Sequence, residues 1–305
     1  MIQADFPMLD RFLSALDVRV IAFTTCDVRE GWRIEFPPAE AVGVHLVLQG
    51  AGWVNAAGVK PAPVSKETFV LIPAGAAYTF ESAPGARHVL KSPLARQPDG
   101  LGLPTIRAGD GERAMLMACG LMTATHGGTL DLFRDLPRPL ARRLEGGDLL
   151  TEQFSRLSAE LSEPRVGTRP MIETLLKQCM LSMPRDPVPA ESLGMPWSPG
   201  VAHPSLWRAF VQMVEIMGAK HSLDDLAAAA GMGRSAFAEH FAKAFGRPPM
   251  ALLREMRMRR AAALLADSSI QIRAVAHKVG YSSRSQFSRA FTNFHGKDPK
   301  TFRGG

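Results

Sequence analysis

Cysteine is scarce in this chain and tyrosine scarcer: three Cys and two Tyr in 305 residues. Cys26, Cys119 and Cys179 are odd in number, widely separated and never arranged as C-x-x-C. That excludes a disulfide framework and a zinc finger, and it leads us to expect a reduced, cytoplasmic protein. No uninterrupted apolar run approaches the length of a membrane span, so no membrane partner is expected. The first residues, Met1-Ile-Gln-Ala-Asp5-Phe-Pro, carry neither a cationic stretch nor an apolar one, so no signal peptide is expected. Acidic residues are also unevenly scarce. Residues 205–305 hold 16 Lys/Arg against 7 Asp/Glu, a net of +9, whereas the first 204 hold 20 against 22, a net of −2. All the excess positive charge sits at one end, which points to a polyanionic partner for that end alone.

That end repeats itself. Leu226-Ala-Ala-Ala-Ala-Gly231-Met-Gly-Arg-Ser-Ala-Phe237-Ala-Glu-His-Phe241, closing at Gly246-Arg-Pro-Pro249, returns as Val275-Ala-His-Lys-Val-Gly280-Tyr-Ser-Ser-Arg-Ser-Gln-Phe287-Ser-Arg-Ala-Phe291, closing at Gly296-Lys-Asp-Pro299. Each copy reads as a short apolar helix, a glycine-centred turn and a second helix burying Phe at i and i+4. That is the helix-turn-helix pattern, whose second helix enters the DNA major groove. A long helix over 250–266 joins the copies; Ser222 is expected to cap the first helix of the first copy, and Ser269 the first helix of the second.

The remaining chain reads differently. Val18–Phe23, Trp32–Phe36, Val44–Leu48, Gly52–Asn55, Thr68–Ile72 and Ala77–Phe80 are short, β-branched or aromatic, and punctuated by Gly and Pro, with one more strand expected at Arg113–Gly120. They suggest a small antiparallel barrel or sandwich. From about Gly147 the apolar period becomes helical, through Phe154, Leu157 and Leu161 and then Ile172, Leu175, Leu176 and Cys179. This helical hairpin packs against the barrel, forms a dimer interface, or does both. Residues 184–204 hold six prolines in 21 positions and read as a linker. The expected architecture is thus an α+β protein of two domains. Residues 1–183 form a β-barrel with a helical hairpin, 184–204 a Pro-rich linker, and 205–305 an all-α domain with two helix-turn-helix motifs.

The last hundred residues resemble the DNA-binding domain of AraC/XylS-type bacterial transcription regulators, most closely over Gly280 to Arg303. Residues 1–183 resemble the cupin-type sensor domain found upstream in one branch of that family, through His45-Leu-Val-Leu-Gln-Gly50, Ile72-Pro-Ala-Gly75 and Ala118-Cys-Gly120. The resemblance implies a homodimeric regulator that binds promoter DNA, works with RNA polymerase and answers an unidentified effector. The positions matching the family's groove-facing residues are Arg284, Ser285, Ser288 and Arg289, with Gln286 nearby. An arginine fork suits guanine O6/N7, and glutamine suits adenine. In the first copy they are Ser235, Ala238 and Glu239, with Arg234 and Lys243 on the DNA backbone. Ala238 offers only a methyl and Glu239 repels phosphate, so the first head is expected to discriminate less.

Whether the barrel does chemistry turns on its histidines. Many cupins hold a catalytic metal through a His-x-His motif and a second His. Here Val47 follows His45 at the companion position, and Tyr78 stands where the later ligand would be. We therefore expect no metal, no cofactor and no catalytic residues. A small-molecule pocket walled by Trp32, His45, Trp53 and Tyr78 is the positive expectation. Some relatives of this sensor branch respond to oxidants through cysteine; Cys26, in a polar setting beside Asp27 and Arg29, is the redox candidate, whereas Cys119 lies in an apolar strand and reads as core. The competing reading is a metal-dependent cupin enzyme carrying a DNA-binding appendage. A third is a DNA-binding protein whose barrel only oligomerises.

Overall fold

The structure is a computed structural model and describes residues 6–92, 105–126, 130, 131, 133, 136, 138–143, 149–182, 203–266 and 269–304. Most of the expected linker, including residues 184–202, lies outside the described residues. Contacts divide the chain into two compact units: residues 16–125 with 131–196, and residues 197–305 with 1–15 and 126–130.

In the first unit the strands β1 (Leu16–Arg29), β2 (Trp32–Phe36), β3 (Val42–Ala56), β4 (Ala62–Ser65), β5 (Thr68–Ile72), β6 (Tyr78–Glu81), β7 (His88–Lys91), β8 (Thr105–Ala108), β9 (Arg113–His126), β10 (Leu130–Asp131) and β11 (Leu140–Arg143) join one curled, nearly closed sheet. Its spine runs β7-β2-β6-β3-β9-β1-β8. β3 is the strand shared by both halves. Its first part pairs with β5 and β9, its second with β4 and β6. The change of partners falls where the register slips between Val47 and Gln49, next to Gly50 at φ 74°. A Cβ on Gly50 would lie 2.0 Å from the Ala114 carbonyl oxygen, so only glycine turns this corner. The two strands expected at Val44–Leu48 and Gly52–Asn55 are therefore one.

The inward faces carry a core of Val28, Ile34, Val54, Val70, Phe80 and Met117 among others. The helices α2 (Leu149–Ser162) and α3 (Thr168–Ser182) form the expected hairpin, and α3 lies on β1. There Glu173 accepts the Val20 backbone N–H at 2.9 Å and Arg169 donates to the Val20 carbonyl at 2.6 Å, so side chains of α3 satisfy strand groups.

β1, β8 and β9 are also tied by one carboxylate. Asp27 is 1% exposed and receives Arg29 at 2.7 Å, Arg113 at 3.1 Å and Arg107 at 3.5 Å. Burial alone would raise its pKa, but Arg113 and Arg29 outweigh that and hold it below the usual carboxylate value.

The second unit holds α1 (Phe6–Ser14), α4 (Pro204–Glu215), α5 (Leu223–Ala229), α6 (Arg234–Phe245), α7 (Pro249–Ala266), α8 (Ile272–Lys278), α9 (Arg284–His295) and α10 (Pro299–Gly304). α7 is the bridging helix, and its Met258, Ala261 and Leu265 join Val275, Phe287 and Phe291 in one buried cluster. Arg257 on α7 donates to the carbonyls of Met217 at 3.0 Å and Ala219 at 2.6 Å, fixing the bridge to the turn that follows α4. The first helix of the second copy starts differently from expectation. Gln271, not Ser269, occupies the N-cap of α8, and no side chain closes it.

Candidate nucleic-acid interface

The two copies fold alike. In the first, Ser222 and Asp225 make a reciprocal capping box at α5: the Asp225 N–H donates to Ser222 Oγ at 3.1 Å and the Ser222 N–H to Asp225 Oδ2 at 3.0 Å. The turn to α6 passes through Gly231 at φ 66°, and Gly246 closes α6 at φ 72°. In the second copy Gly280 takes φ 83°, Ser283 caps α9, and Gly296 closes it, again at φ 72°. Both glycine sites need the left-handed conformation. Phe237 with Phe241, and Phe287 with Phe291, are all 0% exposed, with ring centroids 5.4 and 5.6 Å apart.

These phenylalanines fix which side of each helix faces outward. At 100° per residue, the positions opposite Phe237 and Phe241 are Ser235, Glu239 and Lys243; opposite Phe287 and Phe291 they are Ser285, Arg289, Thr292 and Asn293. All seven are exposed. Arg234, Arg284 and Gln286 are exposed in the first turns of α6 and α9, and Ala238 and Ser288 are half-buried on the flanks. Of the ten residues expected at DNA, five thus lie on the two outward faces, Ser235, Glu239 and Lys243 on α6 and Ser285 and Arg289 on α9, and the other five lie on the flanks or in the first turns. Thr292 and Asn293 belong to the second face and escaped the sequence reading. The signal for Asn293 was present, because it stands 50 residues after Lys243, as Arg289 does after Glu239. Arg234 lies 3.5 Å from Asp224, an exposed pair that competes weakly with a phosphate.

The two copies differ sharply in charge. Residues 222–250 carry three basic and three acidic side chains, residues 271–300 six and one. Arg273, His277 and Lys278 on α8 are exposed where α5 shows Asp224 and Asp225. Of the two copies, the second therefore carries the net positive charge.

In the barrel the structure brings together two of the four expected pocket residues. His45 Nε2 and the Tyr78 hydroxyl share a hydrogen bond of 2.8 Å inside the core, with Phe36 stacked on Tyr78 at 4.8 Å. Burial lowers the His45 pKa to about 3, so the imidazole is neutral, and it raises that of Tyr78 well above its ordinary value. His45 Nδ1 has no partner among the described residues. A Cβ on Gly43 would come within 2.9 Å of the Tyr78 hydroxyl, so glycine makes the room for this pair. Tyr78→Phe is expected to strand the remaining His45 nitrogen and destabilise the barrel by about 1–3 kcal/mol in urea unfolding; an unchanged midpoint would mean the bond carries no net stability.

Trp32 and Trp53 are half-buried elsewhere on the sheet, Trp32 stacked on His88 at 5.1 Å. A cleft of about 560 Å³ is lined by Glu35, Phe36, Asn55, Tyr78, Thr79 and Lys91, and of the four expected residues only Tyr78 borders it. Cys26 is not in the polar setting expected of it. It is 0% exposed within the barrel core beside Cys119, whose thiol is raised well above its ordinary value by burial and by Cys26 next to it. Cys179 is pushed up to about 12, again by burial. Thiols buried in a packed core are shielded from oxidants and react poorly. Among the described residues no three His, Cys, Asp or Glu side chains converge as a metal site needs, and no helix is long and apolar enough to cross a membrane.

A curled barrel-like sheet in one unit, and two duplicated helix-turn-helix motifs in the other, define a two-domain protein of DNA-binding type. Comparison with known proteins agrees. Residues 8–186 match the cupin family model and residues 226–305 the helix-turn-helix domain model. The chain is 24% identical over 278 residues to the transcriptional regulator AlkR of Acinetobacter baylyi, covering 89% of this chain and 90% of that one. It is 34% identical over 101 residues to RclR, the RCS-specific transcriptional activator of Escherichia coli, a match spanning 33% of this chain and 36% of RclR. Among solved structures, the DNA-binding domain of AdpA, in complex with a target DNA, is 26% identical, with 33% of this chain and 90% of that one covered and a TM-score of 0.32. The chain belongs to the AraC-like transcription regulators, with a cupin domain preceding its AraC-type helix-turn-helix domain.

Proposed function

We propose that this regulator reads a specific promoter sequence through α6 and α9, and that its cupin domain governs the reading in response to a small molecule or a redox signal. The observation that carries the proposal is the pair of matching exposed faces, each fixed by a buried Phe pair. Arg284, Ser285, Gln286, Ser288, Arg289 and Asn293 read bases from α9; Ser235, Ala238 and Glu239 do so from α6, with Arg234 and Lys243 on phosphate. Successive major-groove segments face the same side of B-DNA about 34 Å apart, so the operator holds two half-sites one helical turn apart.

The effector site is the cleft beside Tyr78, whose lining mixes the apolar Phe36, Pro37 and Ala56 with the polar Glu35, Asn55 and Lys91, a combination that suits a small molecule. The buried thiols favour this input over a redox one through Cys26. The protein is not an enzyme in this reading: Val47 and Tyr78 occupy the positions at which cupin enzymes place ligand histidines. It works in the cytoplasm as a homodimer and delivers its effect to RNA polymerase. The hairpin supports dimerisation, since Val166 and Met171 on it are 90% and 49% exposed.

Two substitutions separate base reading from phosphate contact. Arg289→Ala is expected to cost about 1–3 kcal/mol on the specific site and to relax the preference at one base position. Equal weakening on every sequence would make Arg289 a phosphate contact. Lys243→Ala is expected to weaken all sequences alike and to lower the slope of log K against log salt by about 1; an unchanged slope would remove Lys243 from the interface.

A further inference from the structure

The first recognition helix rests on a column of rings that begins outside the helix-turn-helix region. Phe12 of α1 is 1% exposed and meets Trp207 of α4 edge-on at 4.9 Å. Trp207 stacks on Phe210 at 4.9 Å, Phe210 on Phe245 at 5.0 Å, and Phe245 on Phe241 at 4.2 Å. Phe237 completes the column at 5.4 Å from Phe241. The last three rings belong to α6, so the buried side of the first reading helix is continuous with Phe12. Phe12 also stacks on His126 at 4.2 Å. Arg11, one residue earlier, pairs with Glu215 at the end of α4 at 2.8 Å.

The second recognition helix is built otherwise. Its rings form a separate group of Tyr281, Phe287, Phe291, His295 and Phe302. Among the described residues the two groups share no ring contact. α1 also lies largely within the stretch that matches the cupin family, yet its contacts assign it to the reader unit.

We propose that Phe12 is a positioning residue for the first reading helix: α1 seats the aromatic column beneath α6, so the amino-terminal segment controls the order of the first head and not of the second. Seated, α1 holds Ser235, Glu239 and Lys243 in one arrangement; withdrawn, it leaves Trp207 and Phe210 without their outer packing and α6 free to shift. The second head, with six basic residues to one acidic, remains bound. Release of α1 thus converts a two-site reader into a one-site anchor. The proposal rests on the DNA-reading function above and names how one half of it is regulated.

Amide hydrogen exchange on the full-length protein, without DNA, tests it. In Phe12→Ala, exchange across residues 234–245 is expected to rise tenfold or more while that across 284–295 stays as in the parent, and Phe12→Leu is expected to restore most of the protection. Equal acceleration in both helices, as general destabilisation gives, overturns the proposal, and so does no change in either. Should Phe12→Ala fail to fold, Arg11→Glu decides. That variant sets like charges against Glu215 without touching the column and is expected to accelerate only α6, severalfold; no change in α6 overturns the proposal. On a DNA fragment recovered from a genomic selection, footprinting of Phe12→Ala is expected to lose protection over the first head's half-site and keep it over the second's; loss over both, or neither, overturns it. Because the exchange measurement uses no DNA, failure of the DNA-reading function and failure of the role of Phe12 give different results.

Discussion

Replacing Phe291 by alanine is expected to remove about 3–5 kcal/mol from the second half of the reader and with it all sequence-specific binding. The side chain is 0% exposed, with Phe287 at 5.6 Å, Phe302 at 5.2 Å and His295 at 4.3 Å, and the cluster around it takes Met258, Ala261 and Leu265 from the bridging helix. The cavity therefore opens where α7, α9 and α10 meet. Domains of this size have about 5–15 kcal/mol in total, so the loss is a large fraction of what holds the unit together. The comparison is built into the same helix. Phe294, three residues on, is 43% exposed, and its alanine variant is expected to change stability by no more than about 0.5 kcal/mol. Urea unfolding of the two variants measures the contrast directly; similar midpoints would mean that Phe291 does not organise the core assigned to it.

The second large effect lies in the barrel. Asp27→Ala removes the carboxylate that pairs with Arg29, Arg107 and Arg113 at the junction of β1, β8 and β9, and leaves three cations in mutual repulsion. Breaking a buried ion pair from one side costs about 3–5 kcal/mol, and the lower end applies here, because Arg107 and Arg113 are 59% and 39% exposed and water compensates them in part. The sign with pH follows from the depressed Asp27 carboxyl. Its contribution is complete above the unfolded carboxylate value of about 3.9 and disappears as pH falls through the lower folded value. The parent protein is thus expected to lose this stability only in acid, and the difference between parent and Asp27→Ala to shrink there. A difference that stays constant from pH 7 down to pH 2 would mean the loss comes from packing rather than from charge.

The reader was legible in the sequence because its determinants are local. A Phe pair four residues apart, a glycine that must take positive φ and a second glycine closing the helix state the same structure twice, and Ser222 with Asp225 announced a helix start. The barrel was legible where a strand alternates, as at Trp32–Phe36, and where a short β-branched and aromatic run is buried throughout, as at Thr68–Ile72. It was illegible where strands are four residues long and largely exposed, as at His88–Lys91, and at Gly50, where a positive-φ glycine bends one continuous strand instead of ending it. The surroundings of Cys26 were misjudged because sequence neighbours do not set a strand residue's face: Asp27 turns to the arginines while Cys26 turns to the core. Phe12 carried no local signal at all. Its partners, Trp207 and Phe210, lie about two hundred residues away, and only the fold brings them together.

The central claim, that two duplicated helices read two adjacent segments of one duplex, is tested most directly by selecting genomic fragments with the purified full-length protein at physiological salt. Two conserved half-sites about one helical turn apart, one of them relaxed at a single base position in Arg289→Ala, are the expected result. Fragments without a shared motif, or a single half-site unaffected by any residue of α6, would contradict it.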